Sequence, residues 1–550
     1  MDPITTTIAL GAGGSGSENA WVRHHGRWIN RYYRYIDAPH RHVVYDAAHC
    51  YFVYSIRATY SGQTGSHADR LEMWKVKMSD GSTVWHKSLQ PYTTSPHFGT
   101  FQLFGADISP NGNYLLIAIR GDSSSAANGQ SNLHNMQYVE YNTSDGSLRT
   151  TSQGALYAGG LKDSSSYLNH ERAGGVLYAP GSNNDWICSG GRATGSGHGF
   201  FKLARGSSSY TCPWWAMTHN TAPYTDQTGN TSSDVGSISY NPDNSNELYY
   251  HHQVYNGSYR FHYVSVYDIS SGTPSFNRGF YFHTTFYDSK FCFAFNGNDV
   301  YLSWFRYNLN GGVIEKHTWN GSGWTPRWKS TQSHPYGASY TGGVNGITYD
   351  KENDRLVVLE TEYPSSLVYR QINPATGANV DTRRICISEN SNDTNLDPST
   401  LSPSGALQLA NYDGYANNCP RAKNGFAYFL HSGTDDYYNK KQGALILKLP
   451  TDISQLPSAG TSSSDVTRFS GGDTGPQNTG DNFTLAFSGY EAITYSSSTV
   501  GLTALTNKTS SGYTNNTTGI SNLSLGAGNA NGFVTANTSY WPPDCLSSIE

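Results

Sequence analysis

Two groupings of acids, Asp435 with Asp436 and Glu360 with Glu362, are of the kind glycoside hydrolysis requires: one carboxyl to protonate the leaving oxygen, the other to attack or to activate water. Acids in polar turns are equally at home as solvated turn-formers, so their spacing alone does not make a site. His40-Arg41-His42 sets two imidazoles on one face of an extended segment, as zinc sites do, whereas the doublets His24-His25 and His251-His252 fall on opposite faces. The aromatic load is the more suggestive feature. Trp214, Trp215, Trp319, Trp324 and Trp328, with 41 Tyr in the chain, offer flat platforms for sugar rings and polar edges for their hydroxyls. The same side chains also serve as the packing material of β-sheets. There is no nucleophile elbow, phosphate loop, HExxH or Cys/His cluster at metal spacing, so the sequence predicts no catalytic residue, no metal and no cofactor.

The elements that must carry these residues are legible in the composition. Aromatics make up 13% of the 550 residues and charged residues only 14%, with 58 Gly and abundant Ser, Thr and Asn between apolar runs. Aromatic and β-branched side chains suit a pleated surface, and Gly, Asn and Ser suit its turns. A net charge of -5 without a Lys/Arg run gives no face for phosphate backbones, which argues against nucleic acid as a partner. No stretch approaches the roughly 20 apolar residues of a membrane span, so no membrane insertion is expected. The opening "MDPITTTIALGAGGSGS" lacks the basic start and long apolar centre of a secretory signal, which predicts synthesis in a cytoplasm. Cys50, Cys188, Cys212, Cys292, Cys386, Cys419 and Cys545 lie far apart without a CxxC pair and read as reduced core residues.

One phrase recurs along the chain: a short alternating strand, a tight polar turn and a buried strand. It appears as "VVYDAAHCYFVYSI" from Val43, "ADISPNGNYLLIAI" from Ala106, "VLYAPGSNNDWICSG" from Val176, "SISYNPDNSNELYYHH" from Ser237, "FAFNGNDVYLSW" from Phe293, "ITYDKENDRLVVLE" from Ile347 and "RAKNGFAYFLHS" from Arg421. A second half follows in several copies, an alternating strand, a Gly-containing turn and a return strand, as in "RLEMWKVKMSDGSTVWHKSL". Units of roughly 50 to 75 residues match the scale of one four-stranded propeller blade. Small sheets cannot bury both faces alone, and closing the row into a circle covers every one of them. The reading is an all-β, seven-bladed β-propeller over residues 20–455, with helices hardly signalled.

The ends differ from the ring. Residues 1–19 carry a short apolar patch and then Gly-Ala-Gly-Gly-Ser-Gly-Ser, which reads as a docking arm on a flexible joint. Residues 456–550 are a Ser/Thr/Gly-rich tail with spaced apolar residues. It is too polar for a core of its own and is expected to serve attachment or oligomerisation. The long inserts Asp122 to Asn135 and Ser207 to Ser233 are the loops expected to carry recognition.

The pattern carried by Val43 to Tyr54, and then by Lys75, Met78 to Gly81 and Trp85 to Leu89, resembles the repeat of β-propeller virion proteins of tailed phages of marine bacteria, including cyanophages. The Gly/Ala-rich arm Ile8 to Ser17, the closing "ALILKLPTDIS" from Ala444 and the tail "YSSSTVGLTALTNKTSSGYT" from Tyr495 are similar to parts of those proteins as well. The resemblance implies a structural or tail-fibre component of the virion without enzymatic activity, assembled in the host cytoplasm. Its expected partners are other virion proteins, identical copies, and a host surface glycan or protein. Two other roles fit the same ring: a glycan hydrolase or lyase, and a bacterial cell-surface lectin.

Overall fold

A computed structural model describes Trp21–His25, the strands and tight turns between 41 and 456 with breaks at connections, and seven short strands after residue 465. The docking arm, residues 1–19, lies outside the described residues. The chain forms a seven-bladed β-propeller. Among the described residues the sole helical element is a 3-10 turn, Ile453–Gln455, capped by the Asp452 carboxylate on the Ser454 N–H.

Each recurring phrase is the hairpin of an inner and a second strand. In blade 1 these are Arg41–Tyr45 and His49–Thr59, followed by a third strand, His67–Lys77, and an outer strand, Thr83–Gln90. Blades 2 to 6 cover residues 102–159, 176–219, 232–285, 291–331 and 343–388. The turns are short because their side chains close them. The Asp46 carboxylate accepts from the N–H groups of Ala48 and His49 and from the Tyr51 hydroxyl, and the Asn373 and Asn320 side chains close their turns in the same manner. A register shift recurs between the third and outer strands, at Lys75/Val76, Lys202/Ala204, Val266/Tyr267, Lys316/His317 and Gln371/Ile372. Such a bulge strengthens the local twist, and a blade must twist to lie against its neighbour.

The core lies between blades. Tyr51, Val53 and Met73 of blade 1 pack on Leu115, Ile117 and Tyr141 of blade 2; Ile187 and Phe200 of blade 3 pack on Leu248 and Tyr250 of blade 4. Tyr249, Val264 and Phe280 meet Phe293, Val300 and Leu302 between blades 4 and 5, and Tyr301 and Ile314 meet Leu356 and Val358 between blades 5 and 6. Each interface is thus an apolar layer built from the alternating residues of two sheets. Cys50 and Cys188 are buried and not joined in a disulfide.

A polar contact repeats above these layers. The Lys75 ammonium and the Trp85 indole N–H both donate to the Thr143 carbonyl in the next blade, each at 2.9 Å. Lys316 and Trp328 do the same to the Pro374 carbonyl at 3.1 and 3.0 Å. Lys448 reaches the Met78 carbonyl and the Tyr369 hydroxyl reaches that of Pro450. In each case one blade holds the end of the third strand of its neighbour or the turn after it.

Closure uses both parts of the chain that flank the ring. Blade 7 consists of Arg421–Lys423, Phe426–Asp435 and Lys441–Pro450, and its outer strand is the N-terminal Trp21–His25, antiparallel to Lys441–Pro450. The tail then runs back around the rim. Thr484–Ser488 pairs with the outer strand of blade 6, Thr494–Tyr495 with that of blade 5, Thr503–Ala504 with blade 4, Tyr513–Asn515 with blade 3 and Val534–Thr535 with blade 1. Val466–Ser470 lies between Thr484–Ser488 and the last strand, Ser548–Ile549.

Candidate functional site

The topology divides the ring into two faces of different character. Turns from inner to second strand lie at one end of every blade and are short, and those from third to outer strand lie at the same end and are short in blades 1 and 3 to 6. The longer connections, among them 91–101, 122–134, 220–231, 332–342 and 389–406, leave from the opposite strand ends and lie outside the described residues. Of the two inserts expected to carry recognition, 122–134 is such a connection. The other is divided, because Ser207 to Ser233 contains the outer strand Tyr210–His219 of blade 3 and only 220–231 connects blades.

On the tight-turn face several carboxylates are engaged in structure. Glu140 accepts from Arg149 at 2.8 Å, from Arg205 and from the Tyr178 hydroxyl at 2.7 Å. Glu247 binds both terminal nitrogens of Arg278 at 2.8 Å, with Asn241 and Asn277 on the same carboxylate. Burial raises the Glu247 pKa, but these donors outweigh it and hold the carboxyl below its ordinary value. Asp46 is likewise lowered: burial opposes ionisation, and the Ala48 N–H, the Tyr51 hydroxyl and the His49 N–H prevail. Glu315 lies fully buried against His317 at 3.0 Å. An open cleft between blades 6 and 7 is lined by Glu352, Asn353, Arg355, Asn424, Phe426 and Gln455, and Arg355 is tied there to Asp452 at 2.9 Å. It offers polar contacts and a single free acid, which is not an arrangement for acid/base cleavage. Among the described residues no group of three or more His, Cys, Asp or Glu could hold a metal, and no helix is long and apolar enough to cross a membrane.

The five tryptophans separate. Trp214 and Trp328 are only 4% and 8% exposed, the first edge-on to Phe200 and the second beneath the turn of blade 6, so neither presents a face to a sugar. Trp319 and Trp324 flank the Asn320–Gly323 turn of blade 5 with ring centroids 5.4 Å apart; both are half-buried, and Trp324 donates to the Gly279 carbonyl. The Trp215 side chain lies outside the described residues, as do those of His24, His25, His42, His251, His252, Glu360, Glu362 and Asp435, and all of His40 and Asp436.

The backbone nevertheless brings Glu360, Glu362 and Asp435 to corresponding positions. Arg355–Glu362 is the second strand of blade 6 and Phe426–Asp435 the second strand of blade 7, and both start at tight turns and run to the face of long connections. Blades 6 and 7 are neighbours, joined by the Tyr369–Phe429 ring contact and by the Tyr369 hydroxyl on Pro450. Glu360 and Glu362 therefore end one strand, and Asp435 ends the equivalent strand beside it. Sequence spacing gave no hint of this, since the pairs lie more than one blade apart in the chain.

No family model and no curated protein matches the chain. Solved structures do match it. A periplasmic gluconolactonase of Pseudomonas aeruginosa is 14% identical over 72% of this chain and 96% of its own, with a TM-score of 0.36. A Trypanosoma rangeli sialidase is 9% identical over 77% of this chain and 55% of its own, TM-score 0.35. A polysaccharide lyase is 10% identical over 78% and 93%, TM-score 0.32. The sequence-based expectation of a chain without enzymatic activity is corrected by this finding: the three structures named here are a gluconolactonase, a sialidase and a polysaccharide lyase. The fold, a β-propeller, is shown by the chain's own sheets.

Proposed function

We propose that the chain cleaves a surface polysaccharide on the face of long connections, with Glu360 or Glu362 of blade 6 and Asp435 of blade 7 as its acid pair. The observation that carries this reading is the arrival of Glu360 and Glu362, and of Asp435, at the same ends of equivalent strands in adjacent blades. One carboxyl protonates the glycosidic oxygen while the other attacks the sugar or activates water, and a rigid ring supplies the fixed separation on which that chemistry depends. The test is incubation of the purified chain with bacterial surface polysaccharides, scoring new reducing ends and, separately, unsaturated lyase products. Glu362→Gln and Asp435→Asn are expected to lower turnover by about 100-fold or more, the scale of a lost general acid or base. Turnover unchanged in both variants rules out the pair, and binding without product rules out cleavage.

The setting we propose is the particle of a tailed phage, with several copies of the ring meeting host glycan together. The repeat motifs of blade 1 that resemble virion propellers support it, and repeated copies would add avidity to a weak sugar contact. Imaging labelled particles for this chain tests it, and particles free of label refute it.

A further inference from the structure

The tail strands begin at residues 484, 494, 503 and 513, intervals of nine or ten, and then at 534, about two such intervals on. They meet blades 6, 5, 4 and 3 in turn and then blade 1, the reverse of the order in which the blades were made. The last strand, Ser548–Ile549, returns to Val466–Ser470 and lies alongside Trp21–His25, the outer strand of blade 7. A segment that visits successive blades at a near-constant interval and ends beside its own start is a circuit of the rim. The outer strand of a blade is an edge with unpaired N–H and C=O groups, open to any extended chain. A ladder of two or three residues is weak alone, but each one that forms holds the next at high effective concentration.

We propose that the C-terminal segment is a second closure of the ring: a strand belt laid in cis over finished blades, which seals their outer edges against other chains and resists opening of the circle. Its occupancy is intramolecular, and the Thr- and Ser-rich composition that cannot build a core is suited to a solvent-facing strand whose backbone does the binding.

The full-length chain carrying Phe487→Pro, Thr494→Pro, Thr503→Pro and Thr514→Pro tests this, since proline removes ladder donors. Hydrogen exchange in the outer strands Asn379–Ser388, Trp324–Thr331, Ser275–Thr285 and Tyr210–His219 is expected to quicken by about tenfold or more, with inner strands unchanged. Light scattering should show concentration-dependent association of this variant. Outer strands as protected as in the parent chain, or a variant monomeric at every concentration, overturn the proposal. The pair Met217→Cys with Thr514→Cys, opposite one another in the ladder, checks it without disturbing the fold. A disulfide within monomers at all dilutions is expected, and a disulfide-linked dimer or no disulfide overturns the assignment in cis.

Discussion

Two glycines show how single residues hold this ring. Gly146 and Gly377 both have positive φ, and a Cβ on either would meet the tryptophan of the preceding blade, 3.1 Å from the Trp85 ring and 2.5 Å from the Trp328 ring. Gly377→Ala combines backbone strain with displacement of a buried indole, and is expected to cost about 3 kcal/mol in denaturant unfolding at unchanged m. Gly321 has φ of 96° with nothing within 4 Å of a Cβ, so Gly321→Ala should cost about 1 kcal/mol, and the difference reports the indole contact. The carboxylates set the response to acid. Asp46 and Glu247 are held below their ordinary values, so the folded chain resists protons that the unfolded chain accepts. Their stabilisation is present above the unfolded carboxyl range, about pH 4, and is lost as pH falls through the folded values. Urea midpoints measured downward from about pH 5 should therefore fall, and the fall should be shallower in Glu247→Gln.

At the scale of elements, the Lys and Trp of one blade share a carbonyl of the next, and this explains a pattern that was visible before its purpose was. The spacing of Lys75, the Ser79 to Ser82 turn and Trp85 reads as a strand, a turn and a return strand, which the blade confirms. Nothing in that spacing reveals that the indole is aimed at Thr143, because the partner lies 58 residues away. For the same reason Trp328 read as a sugar platform and proves to be an interface residue. The Ser207 to Ser233 stretch misled for a different cause: Pro213 and polar neighbours mask the outer strand Tyr210–His219, whose Cα partners in Gly197–Arg205 fix it from outside. The shared carbonyl makes a sharp prediction. Trp328→Phe leaves Lys316 as donor to Pro374 and should cost about 1 kcal/mol, as should Lys316→Met. The double variant orphans the carbonyl, so its loss in chemical denaturation should exceed the sum by about 1 kcal/mol.

For the whole molecule, the seven hairpin phrases were enough to number the blades, because each is a local strand–turn–strand signal that owes nothing to distant partners. The way the circle shuts was not local and so was not legible. Trp21–His25 carries no signal of its role in the sequence, which follows from five Cα pairings with Lys441–Pro450, more than 400 residues later. The seam it closes, between blades 7 and 1, is otherwise held by the Lys448 ammonium on the Met78 carbonyl and the Lys423 ammonium on the Asp46 carbonyl. In a closed ring each blade is supported on two sides, so loosening one seam exposes two blade faces at once and the loss spreads. Arg23→Pro, in the middle of the closing strand opposite Ile446, removes a donor and bends the strand away, and should cost about 3 kcal/mol. Thermal unfolding of this variant should remain a single transition at a lower midpoint, with blade 1 and blade 7 losing hydrogen-exchange protection together. Protection lost in residues 441–450 alone, at an unmoved midpoint, would mean that the strand decorates blade 7 and that the seam is held without it.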